Sequence, residues 1–346
     1  EDPITHAKTM YNPTGKLGQN SAITVSGDSS TGILINGSTS AATPATATLE
    51  YGGNVTVTGN GVSGIIVGDN DTGKAEVTVE NDGTVTVNNG TSASAGVYEY
   101  MEGANKKKQG SYGIIVSKNS KLVSDGTHDI NADINVKGQE SVGLYTGENA
   151  KLDVNNHTVK AYEGAVNYDA EKGSTLTLTG TGTATTGQKS LLFYTGSDNT
   201  NQGKVFINGT MKATIEGGTT PNTRGNAFLY VGNGGDFGKS QIENWAKHNF
   251  GDGTNSTLGH LTLNMNSGSR LFIAQNVKMD LSDTTGNTVS TATGAHINGT
   301  DYKTFMLYLS KLAINQDVNL DDTTDAYNQL EISNSSITNA NTKTIT

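Results

Sequence analysis

One strand-like segment returns along the chain. Ser63-Gly64-Ile65-Ile66-Val67 is echoed by Tyr112-Gly113-Ile114-Ile115-Val116, and thirty residues after that by Val142-Gly143-Leu144-Tyr145. Thr31-Gly32-Ile33-Leu34-Ile35 precedes the series. Weaker echoes without the glycine follow at Ser190-Leu191-Leu192-Phe193-Tyr194, Ala227-Phe228-Leu229-Tyr230-Val231 and Ser269-Arg270-Leu271-Phe272-Ile273. A second strand type comes after each, as in Glu76-Val77-Thr78-Val79, Lys151-Leu152-Asp153-Val154 and Lys204-Val205-Phe206-Ile207. A third appears as Val55-Thr56-Val57 and Val85-Thr86-Val87. Residues two apart share a face of a strand, so Val77 and Val79 point one way and Thr78 the other. Asn, Asp and Gly punctuate the runs, as in Asn81-Asp82-Gly83 and Gly147-Glu148-Asn149, because these residues accept turn conformations.

A period near thirty residues places the chain among repeat architectures. Three short strands and three turns fit one such period, and each unit buries its inner face only by stacking on its neighbours. The expected fold is all-β, a parallel β-helix (β-solenoid) with about three short strands per coil and loop or helical insertions. Residues 1–346 then form a single rod. At thirty residues per coil and about 4.8 Å per coil, about eleven coils would span roughly 50–55 Å. Composition agrees. Hydrophobic residues are 33% and glycines number 44 of 346, which suits a narrow core under much polar surface better than a thick globular one. An antiparallel sandwich array is the competing architecture, but one Trp and 7 Phe supply few core anchors for it.

Two stretches interrupt the rhythm. Residues 99–112 carry Lys106-Lys107-Lys108 and are expected to form a loop. Residues 232–256 are longer. Within them Ser240-Gln241-Ile242-Glu243 has capping-box spacing, and Ile242, Trp245, Ala246 and Phe250 have helical spacing, so a short helix is expected there. Trp245, with Lys247, His248 and Phe250, is one candidate recognition element, since exposed aromatic residues anchor binding sites. The simpler role for Trp245 is to fasten the insertion to the rod. Lys106, Lys107 and Lys108 form the other candidate, against the plainer reading of a solvated loop.

The chemistry is sparse. Net charge is −10 with no basic stripe, so nucleic-acid binding is not expected. There is no run of eighteen apolar residues for a membrane helix, and no Cys. Gly27-Asp28-Ser29-Ser30 has part of a serine-protease nucleophile environment but reads better as a turn. Asp69, Asp71 and Glu80 resemble half of a calcium loop, although position six of that loop is Lys74 where the standard loop has Gly. Gly234-Gly235-Asp236 is a single copy of a calcium-repeat pattern. His6, His128, His157, His248, His260 and His296 show no helical zinc spacing and read as scattered surface residues. Asp153 and Asp169 are the pair that a polysaccharide-cleaving solenoid would need on adjacent coils. No catalytic residue, cofactor or metal is expected.

The Gly-Ile/Leu strand, as in Ser63 to Val67 and Ser141 to Tyr145, with Asn-Gly turns and Thr-Val strands as in Asn81 to Val87, resembles the passenger domains of type V autotransporters. Its Asn-, Lys- and Tyr-rich flavour is similar to the large autotransporter adhesins of fusobacteria. The resemblance covers Gly32 to Ile332. It implies a right-handed β-helix, secretion through a translocator β-barrel in the outer membrane, and display at the cell surface. It also implies adhesion to a host glycan or protein receptor, or to partner bacteria. A monomer is expected. The ends at Glu1-Asp2-Pro3 and Asn341–Thr346 lead us to expect a piece of a longer chain. A carbohydrate-active β-helix and a self-association module for cell aggregation are the alternatives.

Overall fold

The structure, a computed structural model, describes residues 21–36, 53–68, 74–79, 82–88, 109–196, 201 and 203–216 with their side chains. It also describes the backbone of strands at 14–17, 45–51, 98–102, 105–108, 227–232, 236–238, 260–265, 270–274, 278–280, 288–290 and 296–298. The described chain forms a parallel β-helix. Three strand types alternate and each stacks on its own kind. The first sheet has seven strands, among them Ala75–Val79, Lys121–Ser124, Lys151–Val154, Thr175–Leu178 and Lys204–Ile207. The second has eight, among them Asn54–Thr58, Gly83–Asn88, Ile130–Lys137, His157–Tyr162, Thr181–Thr186 and Thr210–Ile215. The third also has eight, from Thr31–Ile35 through Ser63–Val67, Tyr112–Val116, Val142–Thr146, Val166–Ala170 and Leu191–Gly196 to Ala227–Gly232 and Arg270–Ala274. All pairings within these three sheets are parallel.

The period is not constant. Val142 pairs with Val166 and Tyr112 with Val142, offsets of 24 and 30 residues, whereas Ser63 pairs with Tyr112 at 49. The long offset contains residues 99–112, expected as a loop. Most of that stretch is a β-hairpin, Tyr98–Glu102 antiparallel to Asn105–Gln109. By register Lys107 stands opposite Tyr100 and Lys108 opposite Glu99. Gln109 fastens its base. Its side-chain amide donates to the Gly61 carbonyl at 2.8 Å, and its Oε1 accepts from the Ser29 hydroxyl at 3.0 Å.

Inward residues form continuous rows. Val77, Leu122, Leu152, Leu176 and Val205 align on the first sheet. Val57, Val87, Ile134, Val159, Ala184 and Ala213 align on the second. Ile65, Ile114, Leu144, Tyr168 and Phe193 align on the third, and all of these are buried.

The repeated glycine has a steric cause. Gly32, Gly64, Gly113 and Gly143 stand at the corner where the second sheet turns into the third. A Cβ on Gly64 would lie 2.4 Å from the Gly113 carbonyl oxygen and 2.5 Å from Val85 Cγ1, and one on Gly113 would lie 2.4 Å from the Gly143 oxygen and 2.7 Å from Ile134. The next coils replace the glycine by Asn167 and Leu192. There the second-sheet row shrinks from Val159 to Ala184 and Ala213, so the corner volume is conserved by exchange between sheets. Asn167 fills the space with polar atoms that are all used. Its Nδ2 donates to the Val159 and Thr185 carbonyls at 2.8 and 3.0 Å, and its Oδ1 accepts from the Thr186 hydroxyl at 2.8 Å. Just before the strands, buried Ser111, Ser141 and Ser190 accept from backbone N–H groups of the preceding coil, those of Val62, Ser111 and Gly164.

Candidate functional site

The third sheet carries one row of outward residues that changes character along the rod. Leu34, Ile66, Ile115, Tyr145, Asp169 and Tyr194 follow one another by register. Beside this row lies a groove of about 470 Å³, walled by Tyr112, Ile115 and Tyr145 from the strands and by Lys118, Gly147, Glu148, Glu171 and Lys172 from the turns that follow them. The rings of Tyr112 and Tyr145 meet edge to face, with centroids 6.1 Å apart at 79°. Gly147 has no room for a side chain, since its Cβ would stand 2.8 Å from the Lys118 amide nitrogen.

Charge alternates along the stacked turns. Glu148 receives Lys118 Nζ at 2.6 Å on Oε2 and Lys172 Nζ at 3.2 Å on Oε1. The bond from Lys118 is the main cause that holds the Glu148 carboxyl below the usual range. The other two acids behave oppositely. Burial, with the charge of Glu171 added, pushes the Asp169 carboxyl well above the usual range. Burial, with the charge of Glu148 added, pushes Glu171 up as well. Burial and the charges of Asp169 and Glu140 raise the Tyr112 phenol to about 12, and Tyr145 is raised by burial, Glu171 and Asp169. Both phenols are therefore neutral donors at neutral pH.

The raised Asp169 carboxyl gives a pH dependence with a fixed sign. The native state binds this proton more tightly than the unfolded chain, so its contribution is largest at low pH. It is lost as pH rises from the ordinary carboxylate value, about 4, through the folded value. Asp169→Asn is expected to be more stable than the wild type at neutral pH. The difference should shrink towards about pH 4. Urea midpoints across that range check this, and a difference that grows on acidification would contradict it.

The residues singled out in the sequence fall differently. Asp153 lies on the first sheet and Asp169 on the third, so these two carboxylates do not share a face. Asp153 is raised by burial and aligned with Thr177. His157 is not a surface residue. It is 4% exposed in the core, its Nδ1–H donates to the Asn155 carbonyl at 2.8 Å, and its ring meets Tyr168 edge-on at 5.8 Å. Alternation with Val159 and Ala161 puts it on the inner face. His128 sits in a turn on Asp125, 2.7 Å away. Gly27–Ser30 is a turn, with Ser29 at φ 56° and Asp28 Oδ1 accepting from Asn60 N and Nδ2. Its hydroxyls donate to Gln109 and to the Asp28 carbonyl. Among the described residues no group of three or more His, Cys, Asp or Glu is placed to hold a metal ion.

Lys106, Lys107 and Lys108 are on the second hairpin strand. Within 232–256 the backbone of Asp236–Gly238 is a strand pairing with Lys278–Asp280. The expected helix, with Trp245, Lys247, His248 and Phe250, lies outside the described residues, as do Asp69, Asp71 and Glu80. No protein-family model, no curated protein and no solved structure matches the chain.

Proposed function

We propose that this chain is the binding shaft of a bacterial surface adhesin, with the β-helix as rigid stalk and its flank as the recognition surface. The observation that carries this is the third-sheet groove, whose walls come from consecutive coils of one rod. A stack of parallel strands is rigid because each coil is held by both neighbours, and it tolerates insertions. The hairpin at Tyr98–Gln109 enters between a second-sheet and a third-sheet strand, yet register continues on both sides of it. Aromatic rings beside neutral and charged donors suit a glycan or a protein side chain. The resemblance to type V autotransporter passengers supports the same reading, and with it surface display through a translocator barrel. The ligand is then a host glycan or protein receptor, or a partner bacterium.

A second reading has one observation in its favour. Asp169 and Glu171 are both held up, as a general acid in a carbohydrate-cleaving site would be.

The test is binding of the chain to epithelial cells and to a glycan array, beside reducing-end release from the glycans that bind. The wild type is expected to bind cells without releasing sugar. Tyr145→Ala is expected to weaken binding about tenfold or more, as aromatic anchors do. A variant lacking 232–256 separates the flank from the insertion, since binding lost only there moves recognition to Trp245 and its neighbours. Absence of cell binding by the wild type contradicts the adhesive reading, and sugar release replaces it by the second.

A further inference from the structure

The groove on the third sheet is open to solvent and electrically balanced. Its wall carries two cations, Lys118 and Lys172, and two acids, Glu148 and Glu171. Glu148 holds both lysines, at 2.6 and 3.2 Å. Solvent reaches all three, since their side chains are 52% exposed at Lys118, 41% at Lys172 and 27% at Glu148. Tyr112, Tyr145 and Glu171 are partly exposed as well. No hydrogen bond within the described residues ties up the Tyr112 hydroxyl, the Tyr145 hydroxyl or the Glu171 carboxyl, and none of these oxygens is sealed from solvent. The groove therefore offers two aromatic rings and several reachable polar groups, but no surplus of either charge.

We propose that this groove is a subsite for a neutral hexopyranose, a sugar ring that carries neither a carboxylate nor an ammonium. This rests on the adhesive reading and names its ligand class. The C–H face of the pyranose packs on the tyrosine rings, whose centroids lie 6.1 Å apart at 79° and give it a floor and a wall. Its hydroxyls donate to the Glu171 carboxyl and accept from Lys118 Nζ, an ammonium with three N–H donors that gives one to Glu148. At about 470 Å³ the groove has the size of a small-molecule site, which runs from roughly 300 to 1,000 Å³. The selectivity comes from the balanced wall. A uronate meets the like charges of Glu148 and Glu171, and an amino sugar meets those of Lys118 and Lys172. Either one also gives up the hydration of its own charge, whereas a neutral ring pays neither cost.

The experiment is an NMR titration of the full chain with glucose, galactose and mannose, each beside its uronate and its amino sugar. At least one neutral sugar is expected to bind about tenfold more tightly than its two charged forms, a difference of about 1.4 kcal/mol. Its affinity is expected to change less than about twofold when salt shortens the screening length from roughly 20 to 4 Å. Tyr145→Ala is expected to lose the neutral sugar. Glu171→Gln leaves two lysines against one acid, so the uronate should gain on the neutral sugar and become salt-dependent. Lys118→Gln should do the same for the amino sugar. Thr158→Ala, on the second sheet, should keep the wild-type order. The spectrum of each variant without ligand checks its folding. A charged form that binds the wild type as tightly as its neutral parent overturns the subsite. So does an unchanged order of affinities in folded Glu171→Gln and Lys118→Gln, or the absence of binding by all three neutral sugars. A wild type that binds cells but no neutral sugar loses the subsite and keeps the adhesive reading. A wild type that binds a neutral sugar and no cell does the reverse.

Discussion

Gly113→Ala is expected to destabilise the fold by about 3 kcal/mol or more, at or beyond the upper end of what overpacking a core costs. The added methyl would sit 2.4 Å from the Gly143 carbonyl oxygen and 2.7 Å from Ile134 Cγ1 and Cδ1. The isoleucine can turn, but the carbonyl belongs to the backbone of the next coil. It can retreat only if the two coils separate, and coil-to-coil contact is what stabilises a solenoid. Gly126 is the control. It has φ +93° and nothing within 4 Å of its would-be Cβ, so Gly126→Ala carries only the conformational cost, about 1–2 kcal/mol. Urea unfolding of the two variants side by side decides the matter. Equal midpoints would mean that the glycine row does not set the coil spacing.

The second large effect is at the aromatic stack. Phe193→Ala is expected to cost about 3–5 kcal/mol, as for other fully buried aromatic truncations. Phe193 is 0% exposed and stacks on Tyr168 with centroids 5.4 Å apart and planes 32° apart. Tyr168 is equally buried, but its hydroxyl has no partner among the described residues. Tyr168→Phe removes a desolvated polar atom and keeps the ring, so it should be neutral or stabilising. The two substitutions act on one stack in opposite directions. A Tyr168→Phe variant destabilised by more than about 1 kcal/mol would show that the hydroxyl has a partner worth that much.

Much of the fold was legible in the strands. Ser63–Val67, Tyr112–Val116 and Val142–Thr146 look alike because each fills the same slot, and the structure stacks them in one sheet. Their glycine was visible as a repeat, but its cause was not. The cause lies in a neighbouring coil, and the replacements Asn167 and Leu192 make sense only beside Ala184 and Ala213. The expected period near thirty residues is one of several offsets, 24, 30 and 49, because turns and insertions vary while strands do not. For the same reason the groove was missed. Alternation marks Tyr145 and Asp169 as outward on their own strands. Only register makes them neighbours across 24 residues, with Tyr112 33 residues before Tyr145. Residues 99–112 read as a loop because three adjacent lysines suggest solvent, while pairing with Glu99 and Tyr100 makes them part of a hairpin. His157 was assigned to the surface by residue type, although its strand pattern already placed it inside.

The account stands on the register that brings distant residues side by side, and the chain's lack of cysteine makes this directly measurable. Thr158 and Thr183 are register partners on the outer face of the second sheet, their hydroxyl oxygens 3.1 Å apart. The double variant Thr158→Cys/Thr183→Cys should form a disulfide on mild oxidation, because neighbouring strands hold Cα atoms about 4.8 Å apart, within disulfide range. Thr158→Cys/Thr185→Cys, shifted by two residues, should form little. Fast closure of the first pair and not the second is the predicted result. Closure of the shifted pair, or of neither, would contradict the stacked coils and with them the groove that they build.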